Sequence, residues 1–445
     1  MSLFPPDPAP GRPKILFIGW PESSHTHSWI DLLERTAFNP RLFCLPSTEP
    51  PGDWPVRCYL TAPGAPRQHN ATRQTLFPPR QMTLSYGIYL LQEAMDRGAI
   101  RGAGGQRLLK GLIRLNERLP GQRRAAALEA ALARAITDWR PDVIHTLGFD
   151  PAAYFYLRTR EAFGLEGIGR WVAQARGGPD IALQRYVPSA RALMEKVFAT
   201  CDHFIADNQQ NYDFALSAGL APRQVSEPGM SVVSGAGGLD LEGLRAGWSL
   251  PPSKRERVIV WPKAYEITTA KAMPVFEAIL KVWDQIQPCR IDMLWMTQPE
   301  VRIWYEKLFP EAIKRQCPAY GRLTRAETLE HISRARVLLA PSLSDGIPNT
   351  MLEAMALGAA PLVSPLDTIT PVVEAEKNVV FARNLYPDEI AAALVRMMSD
   401  DALVDRLAEN NLARIRELSD RARIKVRAKA YYEAVATAAG WRDSG

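Results

Sequence analysis

The segment Val337–Ser364, VLLAPSLSDGIPNTMLEAMALGAAPLVS, leaves the chain few ways to fold. Val337 to Ala340 reads as a buried strand, Pro341 to Pro348 as a polar loop, Asn349 to Leu357 as a helix and Pro361 to Ser364 as a second buried strand. Asn349 is an apt N-cap just after a proline, and Gly358 stands where a helix stops. The loop therefore aims the free amides and the positive dipole end of a helix at one spot, a natural seat for phosphate. Asp345 in the loop and Glu353, eight positions further on in the helix, flank that seat. An anionic ligand that also carries hydroxyls would find amides for its phosphates and carboxylates for its hydroxyls. A nucleotide sugar has that chemistry.

The rest of the chain repeats the alternation of strand and helix. Strands are expected at Lys14–Trp20, Arg41–Leu45, Pro141–Thr146, Gly169–Ala175, His203–Ala206 and Ser231–Ser234, with helices between them, the first from about Trp29 to Arg35. Helical patterns dominate from Leu84 to Trp139. After Pro251, Pro252 and Ser253, a credible hinge, a second series follows: a strand at Val258–Trp261, a helix at Pro274–Gln287, a strand at Asp292–Met296, and helices at Val301–Leu308 and Thr324–Arg334. Amphipathic helices over 388–400, 402–416 and about 420–439 close the chain. Alternating β and α elements imply parallel sheets covered on both faces, so the expected class is α/β with two doubly wound domains. The expected division is a proline-rich mobile lead-in over residues 1–13, a first domain over 14–249, a second over 254–422, and a final helix over 423–445.

With 445 residues, 47% apolar and 23% charged, the chain is long enough for two globular cores and is not disordered. No run of about 18 apolar residues is present, and the first residues lack a basic segment followed by an apolar one. Five cysteines stand singly, without CxxC spacing, as reduced buried thiols would. A cytoplasmic protein is the expectation. Net charge is +6, and the segment Arg101–Arg124 holds seven basic residues against one acid, Glu117, with leucines interleaved. Two readings stand for it: a peripheral helix meeting anionic lipid at the inner face of the membrane, or an ordinary amphipathic helix with leucines inward. No aromatic residues or motif accompany the charge, so nucleic acid is not an expected partner.

The pattern Asp-x7-Glu followed by Ala-Met-Ala-x-Gly resembles the donor-site signature of family 4 glycosyltransferases, retaining enzymes of the GT-B fold, in which two Rossmann-like domains face a cleft. The family has Glu where this chain has Asp345, one methylene shorter. The resemblance implies that the final helix crosses back onto the first domain, and that Asp345 serves catalysis. It also implies donor binding by Gly346, Ile347, Pro348, Asn349, Thr350 and Glu353. Family members grip the donor diphosphate with an Arg and a Lys after the first strand of the second domain. Lys263 sits at the arginine position here, and Lys271 is the candidate for the lysine. DVIHTLG resembles the family's Asp-Val-Val-His segment, which makes His145 a hydrogen-bond donor to the transferred sugar. SSHTHSWIDLL resembles the first loop of some members, on the acceptor side, and brings in His25 and His27. The loop Arg176-Gly177-Gly178-Pro179-Asp180 resembles an Arg-Gly-Ser-Asp loop and adds Arg176 and Asp180.

No Asp-x-Asp occurs, so the expectation is no metal and no cofactor, with the nucleotide sugar as cosubstrate and protein cations meeting the leaving diphosphate. A saccharide or a lipid-linked saccharide would be the acceptor, in the making of a cell-surface glycan or glycolipid. Retention would come from same-face attack, the leaving phosphate oxygen taking the acceptor proton. Two alternatives share the architecture: a sugar-nucleotide epimerase, and a non-catalytic GT-B partner subunit.

Overall fold

A computed structural model describes residues 4, 7, 9–35, 37–61, 68–76, 104–105, 108–109, 111, 121–177, 179–226, 237–245 and 250–442. Most of the basic segment Arg101–Arg124, the expected strand Ser231–Ser234 and the expected domain end at Ser249 lie outside these residues. Two parallel sheets organise the chain. The first has seven strands: β1 (Lys14–Gly19), β2 (Asn39–Cys44), β3 (Arg57–Leu60), β4 (Arg73–Thr75), β5 (Val143–Leu147), β6 (Arg170–Gln174) and β7 (His203–Ile205), in the order β4-β3-β2-β1-β5-β6-β7. The second has five: β8 (Val258–Trp261), β9 (Arg290–Met293), β10 (Val337–Ala340), β11 (Ala360–Val363) and β12 (Val380–Phe381), in the order β12-β11-β10-β8-β9. Both are doubly wound, as the alternating pattern requires.

Alternation along each strand sends side chains to opposite faces, and each sheet accordingly carries a core on both sides. Leu16 and Ile18 join one cluster, with the helices 121–139, 154–163 and 188–200; Ile15 and Phe17 join the other. In the second sheet Ile259 and Trp261 face one cluster, Val258 and Val260 the other. Strand order reverses between β1 and β5 in the first sheet and between β8 and β10 in the second. At such a switch point the loops diverge and leave a crevice at the carboxyl ends of the strands, where doubly wound folds bind ligands.

The helix Arg421–Ala438 crosses onto the first sheet. Ile424, Ala428, Tyr431, Tyr432 and Val435 form its apolar face against Phe17, Trp29 and their neighbours. The turn before it meets Leu239 backbone to backbone, Leu239 N–H donating to Ser419 and Arg421 N–H to Leu239. Gly238 has φ +89°, and a Cβ there would stand 2.8 Å from the Ser419 carbonyl, so only glycine suits this crossing. Tyr432 Oη accepts from Trp29 Nε1 at 2.9 Å and also bonds His145 Nδ1, all three groups being buried. Tyr432→Phe strips two buried rings of their partner. We expect a loss of about 1–3 kcal/mol in urea unfolding, with the urea dependence unchanged.

Several expectations shift. The first helix spans Ser24–Ile30, not Trp29–Arg35, because Ser23 Oγ accepts from Thr26 N–H and starts it early. Asn349 is the first helical residue and Pro348 holds the cap position, without a side-chain cap. Gly358 does end that helix, in the left-handed region at φ 74°. The lead-in is not loose at Phe4, which is buried, or at Asp7, which binds Arg41 and Arg57. Strand β4 has no apolar run and β3 only the three residues after Arg57; their arginines are buried because partners are supplied, Arg73 donating to the carbonyls of Val56, Pro51 and Trp54. Among the described residues no helix is long and apolar enough to cross a membrane.

Candidate functional site

The two switch points face each other across a crevice of about 770 Å³. From the first sheet, the connection after β1 brings Ser23 and, at the start of the first helix, His25; Arg176 and Gly177 follow β6, with Asp180 at the start of helix Pro179–Gln184, and Asp207 follows β7. From the second, Lys263 follows β8, and Asp345, Ile347, Pro348, Asn349 and Thr350 follow β10. The helix Asn349–Leu357 thus points its N-terminus into the crevice, as the sequence implied. Thr350 Oγ1 is buried with no hydrogen-bond partner among the described residues, a polar atom waiting in the wall of a cavity.

Lys263 and Asp345 form an ion pair inside the crevice, Nζ donating to Oδ2. Burial opposes the lysine's charge, but Asp345 and Tyr265 outweigh it and raise the Lys263 pKa above its usual value. Asp345 is further fixed through its carbonyl, which accepts from Thr368 Oγ1 at 2.9 Å. A cation and a carboxylate therefore sit within reach of the same helix N-terminus. Each satisfies the other.

Arg176 is mostly withdrawn from solvent and donates to Thr26 Oγ1 at 3.1 Å and to the His25 carbonyl at 3.3 Å. Burial lowers its pKa to about 10, which leaves it charged at neutral pH. His25 Nδ1 lies 3.3 Å from Asn349 Nδ2, a bond from one sheet's loops to the other's. Burial, with Arg176 and Arg325 nearby, lowers the His25 pKa to about 4, so its ring is neutral, with Nδ1 accepting. Asp180 lines the crevice but spends its carboxylate on backbone, accepting from Phe149 N–H and Arg176 N–H. Burial raises its pKa to about 6.

Five expected site residues are not part of the crevice lining, the first being Gly346, which lies against Gly177 and Asp207. His145 is fully buried on β5 between Phe17, Trp29 and Tyr432, and does not reach the crevice as a donor to a sugar. His27 bonds the Pro21 carbonyl through Nε2 at 2.6 Å, packs on Trp54 and lies off the crevice wall. Lys271 pairs with Glu266 at 2.8 Å, outside the crevice lining. Glu353, one turn into the helix, is 6% exposed and accepts from Arg325 Nη2 at 3.0 Å. Burial raises its pKa and Arg325 opposes that. Asp207 and Arg325 were not foreseen. A carboxylate at the carboxyl end of a strand, in the run HFIADN, is the signal that marks Asp207. Among the described residues no group of His, Cys, Asp or Glu side chains is arranged to hold a metal ion.

Residues 275–400 match the family model described as glycosyl transferases group 1, a range that includes the whole of Val337–Ser364. No curated protein matches the sequence. Among solved structures, sucrose-phosphate synthase from Thermosynechococcus elongatus aligns with TM-score 0.63 at 13% identity, over 96% of this chain and 100% of that one. HepE from Anabaena, in complex with UDP and glucose, aligns with TM-score 0.63 at 13% identity, over 95% and 100%. A putative UDP-N-acetylglucosamine 2-epimerase from Listeria monocytogenes aligns with TM-score 0.56 at 11% identity, over 95% and 97%. The chain has the GT-B fold, and residues 275–400 are similar to group 1 glycosyl transferases.

Proposed function

We propose that the protein is a retaining glycosyltransferase of the family 4 type, moving a sugar from a nucleotide sugar to a saccharide or lipid-linked acceptor. The observation that carries this reading is the meeting of Lys263, Asp345 and the N-terminus of helix Asn349–Leu357 at the switch points of both sheets. UDP and glucose bound to HepE, a protein of the same fold, support a nucleotide-sugar donor. The group 1 match favours a transferase over an epimerase of the same architecture.

In this reading the donor diphosphate takes the helix N-terminus and the ammonium of Lys263, which trades Asp345 for phosphate. A lysine acts there as a point charge. Asp345, released, accepts a hydroxyl of the sugar. The bond from the anomeric carbon to phosphate oxygen breaks as the acceptor oxygen bonds the same face of that carbon. The acceptor proton passes to the departing phosphate oxygen, so no protein base is needed. Charge gathered by the leaving diphosphate is met by Lys263 and the helix amides, without a metal. The excess of cations in Arg101–Arg124 supports an acceptor held at an anionic membrane surface, in glycan or glycolipid synthesis.

Incubation with UDP-, GDP-, ADP- and TDP-sugars in excess EDTA tests the reading. Slow hydrolysis of one donor class, releasing nucleoside diphosphate, is the expected result. An epimerised sugar, no turnover of any donor, or a requirement for added metal contradicts it.

A further inference from the structure

Asp207 has no part in the donor chemistry, yet it lies against both Gly177 and Gly346, where loops of the two sheets meet. It lies just past the end of β7, is 5% exposed and forms part of the crevice wall. Its Oδ1 accepts from Asn208 Nδ2 at 2.7 Å and Asn211 Nδ2 at 3.1 Å, which fixes the carboxyl. Its Oδ2 turns to the contact between the domains. A methyl on Gly177 would stand 2.5 Å from that oxygen, and one on Gly346 only 2.3 Å. The Gly346 methyl would also fall 2.6 Å from Gly177 Cα. Neither glycine has a positive φ, so closeness, not backbone conformation, is what these glycines serve. Here the donor loop meets the first domain backbone to backbone, with one carboxyl wedged against both.

The groups facing that carboxyl are mostly acidic. Asp345 approaches on the donor loop and Asp180 on helix Pro179–Gln184. The cations nearby are already engaged, Lys263 with Asp345 and Arg176 with Thr26 and the His25 carbonyl. An ionised Asp207 would face like charges where little water reaches it, so the closed contact suits the neutral acid.

We propose that Asp207 is a positioning residue coupling closure of the crevice to one proton: neutral, it seats Gly346 against Gly177; ionised, it repels Asp345 and frees the donor loop. The consequence for donor affinity rests on the nucleotide-sugar reading; closure itself does not. Burial, reinforced by Asp345, pushes the Asp207 carboxyl up to about 7, against 3.8 for the unperturbed group. Opening the crevice rehydrates it. The closed form therefore binds the extra proton, and closure is favoured at low pH, weakens as pH rises towards about 7, and levels off above.

The test is small-angle scattering on the full chain without donor, at about pH 6 and about pH 8.5, with Asp207→Asn beside the wild type. The amide keeps the shape and removes the charge. The wild type is expected to be more compact at the lower pH, and Asp207→Asn to be compact at both. Asp345→Asn, which removes the facing charge, should move the wild-type midpoint downward. Binding of UDP-glucose, GDP-mannose, ADP-glucose and TDP-glucose is measured alongside. For any that binds, wild-type affinity should rise about tenfold from the higher pH to the lower, and the Asp207→Asn affinity should stay flat. A variant that keeps the wild-type pH response, or is open at both pH values, overturns the role of Asp207. Failure of all four donors to bind, with the pH-dependent closure intact, overturns the nucleotide-sugar reading and leaves the role of Asp207 standing.

Discussion

Lys263→Ala is expected to lower turnover at least tenfold, with a smaller change in donor KM. A leaving diphosphate without its cation loses a few kcal/mol of transition-state stabilisation, and one such donor removed from a dry site costs about 10²–10³ in kcat at the upper end. Removing the lysine also leaves Asp345, mostly buried, facing Asp207 without a counter-charge, and a buried charge stripped of its partner destabilises the fold. Lys263→Ala combined with Asp345→Asn relieves that second effect. If the double variant regains thermal stability, the instability of Lys263→Ala belongs to the unpaired Asp345; Asp345→Asn alone, assayed beside it, gives the turnover lost with the carboxylate, and the remainder belongs to the lysine. Lys263→Arg restores charge with a bulkier fork and is expected to recover part of the turnover. Steady-state kinetics on the hydrolysed donor decides the case. A Lys263→Ala enzyme with unchanged kcat and a raised KM would show that the lysine binds donor and transition state equally.

The parts of this site that were legible in the sequence are those set by local rules. Apolar runs bounded by turn residues placed β8 and β10, and the glycine after Leu357 placed the end of helix Asn349–Leu357. The loops after β8 and β10 followed at once, and with them Lys263 and Asp345. What was not legible depends on which way a strand's faces point. His145 pairs in register with Phe17, so the alternation that brings Phe17 under the last helix brings His145 there too. That helix is encoded nearly 300 residues later, and nothing local in DVIHTLG indicates it. Lys271 was misplaced because Glu266 turns the loop back on itself, accepting from Ala272 N–H and pairing with the lysine. β3 and β4 were missed because their arginines look solvent-bound until carbonyls and Asp7 are seen around them. Asp207 and Gly346 acquire their roles only from each other, across 139 positions of sequence.

Gly346→Ala is expected to reduce kcat/KM by about 10²-fold while leaving the unfolding transition of the protein close to that of the wild type. The added methyl would lie 2.3 Å from Asp207 Oδ2 and 2.6 Å from Gly177 Cα. Neither atom is the end of a flexible side chain, since Asp207 is held by Asn208 and Asn211 and the other is backbone. The loop that carries Gly346 must then retreat by roughly 1 Å, and a displacement of that size in a catalytic geometry costs about 10²-fold. Asp345 and the helix N-terminus retreat with it, away from the first domain and from an acceptor held there. The fold is spared because the clash lies between two independently cored sheets and inside neither. Gly52→Ala provides the control, since a methyl there meets nothing within 4 Å. Pairing Gly346→Ala with Asp207→Ala removes one of the two obstacles and leaves the Gly177 backbone, so partial recovery is the expected result. Full activity in Gly346→Ala would mean that the enzyme works with the crevice further open than this contact allows, and the glycine pair would then have no part in the active form.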